Sequence, residues 1–161
     1  MPTPTYELLH STTLASPASS ITIGSIEGTY GDLILELSYI PDAPALKPYL
    51  TVNSDTGANY NYVLMRGVGG TEVSASRSNE NYIFLNENGI GSGEIATSKI
   101  QISDYSSTDK HKSMLITAFR VSGNVQATAG RWASTAAITS ITLTGGSFEI
   151  GTTANLYGVS K

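Results

Sequence analysis

The sequence predicts an all-β fold: a single antiparallel, jelly-roll-like β-sandwich of about eight to eleven strands. Three observations carry this expectation. Apolar and polar residues alternate with period two in run after run, helical periodicity is absent, and Gly, Asn, Asp, Ser and Pro interrupt the runs at short intervals.

The elements follow in order. YELLH (6–10) opens the chain, and SITIGSI (20–26) sets Ile21 and Ile23 against Thr22 and Gly24. DLILELSYI (32–40) puts Leu33, Leu35, Leu37 and Tyr39 on one face and Ile34, Glu36, Ser38 and Ile40 on the other, the pattern of a strand with one fully buried face. PYLTVN (48–53), NYVLMRG (61–67), NYIFLN (81–86) and EIATSKIQIS (94–103) come next. SMLITAFRV (113–121) sets Leu115, Thr117, Phe119 and Val121 opposite Met114, Ile116, Ala118 and Arg120. NVQATAGRW (124–132), ITSITLT (138–144) and TANLYGV (153–159) complete the set. Turns are expected at Pro41 to Pro44, Asp55 to Gly57, Gly67 to Gly70, Asn86 to Gly93, Ser122 to Asn124 and Gly145–Gly146. GIGSGE (89–94) could open a short helix, but nothing amphipathic follows it. No repeat and no Pro/Gly/Ser linker divides the chain, so 1–161 is expected to form one domain. Residues 1–5 and the closing Val-Ser-Lys are candidate arms.

With 161 residues, 40% of them hydrophobic, the chain can bury a sizeable core. The absence of cysteine removes disulfides, thiolate metal sites and cysteine nucleophiles together. Charged residues are only 14% of the chain and the formal net charge is −4, which argues against a nucleic-acid partner, since that needs clustered Lys and Arg. The start lacks a basic segment followed by a long apolar one, so no secretory signal is expected. No run approaches the ~18–20 apolar residues of a membrane span, so no membrane partner is expected either.

Little in the chain can do chemistry. His111 lies near Asp104 and Asp109 in sequence, but no G-x-S-x-G elbow accompanies it, and Lys110 and Lys112 beside it fit the solvated start of a strand. His10 ends a strand. Asp32, Asp55, Asp104 and Asp109 all sit beside turns, where Asp belongs for backbone reasons, so no acid/base pair is assigned. Phosphate-cradling glycine patterns are absent. No catalytic residue and no cofactor are therefore expected.

NSDTGANYNY (53–62) looks most like a site, because Asn53, Asp55 and Asn59 alternate as oxygen ligands around a cation would. Counted from Asn53, however, the sixth residue is Ala58 and the twelfth Leu64, where an EF-hand needs Gly and Glu. A corner between strands, with Gly57 supplying positive φ, is the favoured reading, and a metal at Asn53, Asp55 and Asn59 the lesser alternative. Tyr60, Tyr62 and Trp132, with Tyr82 and Tyr105, could line a glycan-stacking or interface surface, or pack at the rim of the core.

Several stretches taken together resemble a family of small tailed-phage virion proteins with a jelly-roll or related sandwich fold. SSITIGSIEGTYGDLILEL (19–37) is similar to S-x-I-x-x-x-x-I-x-x-T-Y-x-D-L-x-L at Ile21, Ile26, Thr29, Tyr30, Asp32, Leu33 and Leu35. NSDTGANYNY is similar to N-x-D-x-G-x-N-Y at Asn53, Asp55, Gly57, Asn59 and Tyr60. ASTAAITSITLTGGSFEIGTTANLYGV (133–159) is similar to a C-terminal I-T-S-I-T-L followed by G-S/T-x-x-x-L-Y-G, at Ile138, Ile141, Leu143, Gly151, Leu156, Tyr157 and Gly158. DYSSTDKHKSM (104–114) matches more loosely. The family often has Pro before its T-Y pair, where this chain has Glu27–Gly28. The resemblance implies no catalysis, no cofactor and a place in a bacteriophage virion. The expectation is a capsid decoration or cement protein on the shell exterior, made in the host cytoplasm. Its partners would be the major capsid protein or other virion proteins, and its own copies in a homo-oligomer, a trimer by preference. The alternative is a tail-associated or host-glycan recognition module.

Overall fold

The computed structural model describes residues 5–161, and every regular element among them is a strand. Twelve are present: β1 (Tyr6–Thr13), β2 (Ala18–Ile23), β3 (Asp32–Tyr39), β4 (Tyr49–Val52), β5 (Tyr60–Val68), β6 (Thr71–Glu80), β7 (Ile83–Phe84), β8 (Ala96–Ser103), β9 (Lys112–Arg120), β10 (Asn124–Trp132), β11 (Ile141–Phe148) and β12 (Thr153–Val159). They form an eight-stranded sheet in the order β1-β12-β3-β8-β9-β10-β5-β6 and a four-stranded sheet in the order β2-β11-β4-β7, with every pairing antiparallel.

Alternation decides which face of each strand turns inward. On β3, Leu33, Leu35, Leu37 and Tyr39 are all buried, and Leu35 lies in register between Leu156 of β12 and Ile100 of β8. The smaller sheet answers with Ile21, Ile23, Leu50, Val52, Ile141 and Leu143. Each such side chain contributes roughly 1.5–3 kcal/mol by leaving water, so the two inner faces hold the sheets together. Tyr39 and Phe148 close one end with an edge-to-face contact at 6.2 Å.

Four expectations need correction. The strand count is twelve because TEVSASRSNE, too polar to read as a strand, forms β6 at the edge of the larger sheet. An edge strand has one neighbour and much of its surface in water, so its sequence need not alternate strongly. Gly145–Gly146 is not a turn. It lies within β11, where the register with β2 shifts between Thr144 and Phe148, and both residues have positive φ (125° and 145°). NYIFLN contributes only Ile83–Phe84, because the chain then leaves the sheet. Asn86 and Glu87 are buried in a polar network with Asn124, Gln126 and Arg77 that covers one end of the core. The closing Val-Ser-Lys is no arm: Gly31 N–H donates to the Val159 carbonyl (2.8 Å) and Ser160 N–H to that of Thr5 (3.0 Å). The N-terminal arm expected at 1–5 lies, apart from Thr5, outside the described residues.

Candidate functional site

The NSDTGANYNY stretch is a clamp built from its own side chains. Asn53 and Ser54 both have positive φ (51° and 55°), and Asp55 N–H closes the turn on the Val52 carbonyl at 2.9 Å. The left-handed positions are thus Asn53 and Ser54, not Gly57 as expected. A Cβ at Gly57 would lie 3.0 Å from Asn59 Nδ2 and 3.1 Å from Asp55 Oδ1, so those two side chains of the clamp would have to give way to it. Asn53 Oδ1 accepts from Thr139 N–H (2.8 Å) and Ser140 N–H (3.1 Å), while its Nδ2 donates to the Ala137 carbonyl (2.7 Å). Asp55 Oδ1 accepts from Gly57 N–H (2.8 Å), and Oδ2 accepts from Trp132 Nε1–H (2.6 Å) and Asn59 Nδ2 (2.9 Å). The Tyr60 hydroxyl takes the Val52 N–H (3.0 Å) and gives its proton to the Asp55 carbonyl (3.1 Å); burial pushes its pKa up to about 12.

These contacts are those of the corner reading rather than of a metal site at Asn53, Asp55 and Asn59. A cation needs free oxygen lone pairs, whereas the oxygens of Asn53 and Asp55 face N–H donors and Asn59 turns its own N–H donor toward Asp55. Among the described residues no group of three or more His, Asp or Glu converges on one point. Burial alone would raise the Asp55 carboxyl, but the hydrogen bonds from Trp132, Gly57 and Asn59 outweigh it and hold the pKa below the usual carboxylate range.

The other polar candidates are dispersed. His111 is exposed, Asp104 pairs with Lys110 Nζ (3.0 Å), and Asp109 accepts from the Ser107 hydroxyl. Asp32 accepts the Asp104 N–H at 2.9 Å, a corner contact. Lys112 departs from expectation. It does not lie on a solvated strand start but is buried, its ammonium donating to the carbonyls of Lys110 (2.8 Å) and Thr135 (3.3 Å). Desolvation lowers its pKa, and the nearest carboxylates only partly oppose this. The folded state therefore binds this proton less tightly than the unfolded chain does. The cost is fully present below the folded pKa and disappears as pH rises toward the unfolded value of ~10.4. The unfolding free energy of Lys112→Met minus that of the wild type is expected to be larger near pH 7 than near pH 10. Urea unfolding at the two pH values checks this, because the buried tyrosines cancel in the difference; a gap that does not change with pH refutes it.

The aromatic expectation is also corrected. Tyr60, Tyr62 and Trp132 are core residues, at most 3% exposed, so their ring faces cannot receive a sugar or a partner. The half-buried aromatic group lies elsewhere, on the outer side of the smaller sheet, where Tyr49 and Tyr82 stack at 4.3 Å and Phe84 meets Tyr82 edge-on at 4.9 Å.

What the molecule does present is an apolar surface. The outward positions of β5, β9 and β10 carry Val63 (56% exposed), Met65 (68%), Leu115 (52%), Phe119 (51%) and Val125 (66%). The pairing of β10 with both β5 and β9 gathers them onto one outer face of the eight-stranded sheet. Exposed apolar side chains gathered on one sheet face are common at contact surfaces. The signal was present in SMLITAFRV and NYVLMRG, both of which are apolar on each face rather than on one.

No protein-family model matches the chain, and no curated protein matches it. Solved structures do. Galectin LEC-6 of Caenorhabditis elegans is similar at 13% identity over 91% of this chain and 94% of its own, with a TM-score of 0.46. CG-16, a homodimeric agglutinin from chicken liver, is similar at 11% over 84% and 98%, with a TM-score of 0.35. A human SPRY domain is similar at 9% over 94% and 95%, with a TM-score of 0.36. At these identities and scores the likeness extends to the β-sandwich architecture alone.

Proposed function

We propose that this chain is a structural protein of a tailed-phage virion, a decoration or cement protein that binds the assembled shell from outside and stabilises it by contact. One observation supports a contact role above all: five large apolar side chains stand exposed together on a sheet face, while the polar residues that first suggested a site are consumed by the fold. The resemblance of the 19–37, 53–62 and 133–159 stretches to virion proteins supports the place of that contact. The mechanism is passive. A stiff sandwich adds a modest interface at each copy, and repetition over the shell multiplies its effect. Purified protein is expected to co-sediment with isolated shells and to be found in virions by mass spectrometry; failure of both overturns the proposal.

The Tyr49, Tyr82 and Phe84 cluster favours a second reading, a module that recognises host glycans, because half-exposed rings beside hydroxyl-rich strands suit sugars. Binding on a glycan array that is lost in Tyr82→Ala would select this reading instead.

A further inference from the structure

We infer that the outer face of β6, β5, β10 and β9 is the contact between two copies of this chain, packed face to face about a twofold axis that runs along the strands between β5 and β10. The inference rests on reading this face as a contact surface and names a second copy as its occupant, so the shell would be met by the dimer's remaining surface.

Strand register points to the twofold. Three rows of outward residues cross the face, each running from β6 through β5 and β10 to β9. The first is Ser76, Val63, Ala129, Leu115. The second is Ser74, Met65, Ala127, Thr117. The third is Glu72, Gly67, Val125, Phe119. In every row the bulky residue of β5 or β10 stands beside a small one on the other strand. A twofold axis along the strands leaves each row in place and exchanges β5 with β10 and β6 with β9. Met65 then lies over the partner copy's Ala127, Val63 over its Ala129, Val125 over its Gly67 and Leu115 over its Ser76, each contact repeated in reverse as an isologous interface requires. A trough of about 180 Å³ along Ala127 and Ala129, walled by Val63, Met65 and Leu115, is the hollow into which the partner copy's ridge fits. A foreign partner would need no such matching of large to small within one face.

Like charges are kept apart in this arrangement. Glu72 comes opposite Phe119, and Arg131, paired in register with Asn61, comes opposite Asn61, so neither charge meets its own copy. Four strands at ~4.8 Å spacing and about seven residues at ~3.4 Å give a footprint about 20 Å on a side, packed at the ~10 Å separation of aligned sheets. That is about 400 Å² per copy and about 800 Å² in total before side-chain relief, the size of a weak, reversible interface. The interface closes on itself, so it makes a dimer where the family resemblance led to the expectation of a trimer.

Sedimentation over a range of concentrations tests the inference on the full chain. The wild type is expected to show a monomer–dimer equilibrium. Met65→Glu alone and Ala127→Lys alone are each expected to dimerise about tenfold more weakly or worse. An equimolar mixture of the two variants is expected to regain dimers, because the introduced carboxylate of one copy then faces the introduced ammonium of the other. Met65 points into solvent in the lone chain, so thermal melts of its variant, run dilute enough that both proteins are monomeric, should match the wild type and exclude misfolding as the cause. A wild type that stays monomeric, variants that dimerise normally, or a mixture that does not recover would each overturn the inference. Shell co-sedimentation run in parallel separates the two proposals. Dimers that ignore shells sink the virion role alone, and a monomer that binds shells sinks the twofold contact alone.

Discussion

Asp55→Ala is expected to lower the unfolding free energy by about 3 kcal/mol, although the residue lies in a surface corner. The carboxylate accepts from Trp132 Nε1–H, Gly57 N–H and Asn59 Nδ2, and removing it strands the indole N–H of a tryptophan that is 3% exposed. A hydrogen bond to a charged group is worth ~1.5–3 kcal/mol, and three that share one acceptor do not add in full. The pH dependence has a definite sign. The folded carboxyl titrates below its usual range, so the clamp's electrostatic contribution is present above the unfolded value of ~3.9 and is lost as pH falls through the folded one. Wild type and variant should therefore differ most near pH 7 and converge toward pH 3. Chemical unfolding at both pH values checks this, and a difference below about 1 kcal/mol at pH 7 would show that water replaces the carboxylate without cost.

The reason this corner resembled a metal loop is instructive. Asn, Asp and Gly at alternate positions satisfy a cation and a tight corner equally well, because both need short side chains with oxygens close to the backbone. The distinguishing groups lie far along the chain: Trp132 is 77 positions from Asp55, and Thr139 is 86 from Asn53. No local pattern contains them. The core of β3 was legible for the opposite reason, since its periodicity is a property of eight consecutive residues.

Two-sided strands mark the limit of that legibility. Alternation in SMLITAFRV separates Met114 and Ile116 from Leu115 and Phe119, but both sets are apolar, and only the facing sheet determines that the first set is buried. The patch also depends on β10 lying beside β5, a pairing that joins Val63 to Ala129 across the intervening hairpins. β6 was invisible because Ser, Asn and Arg have little strand preference of their own; the ladder from Thr71–Val68 to Arg77–Tyr62 holds them extended. The aromatic residues failed differently. Tyr60, Tyr62 and Trp132 occupy inward positions of their strands; the polar atoms of Tyr60 and Trp132 find partners inside, and Tyr62 is buried although its hydroxyl has none.

Gly145→Ala is expected to cost about 3–5 kcal/mol, as much as truncating a core side chain, although only a methyl group is added. Two independent penalties meet there. The φ of 125° lies in a region open to glycine and strained for any L side chain, and a Cβ would press on the Lys47 carbonyl and lie 3.0 Å from Pro48 Cα. Neither obstacle is a flexible side-chain end that could swing aside. The 46–48 segment cannot retreat cheaply either, because the Leu46 carbonyl accepts from Ile90 N–H (2.9 Å) and that of Pro48 from Leu85 N–H (2.8 Å). A shift there would loosen the segment over the polar end of the core as well as the β11–β4 ladder. Gly24→Ala is the matched control: its Cβ would meet nothing within 4 Å and its φ is ordinary, so its stability should stay within about 0.5 kcal/mol of the wild type. Equal urea midpoints for the two variants would mean that the bulge in β11 relaxes freely and that its close approach to the 46–48 segment carries no stability.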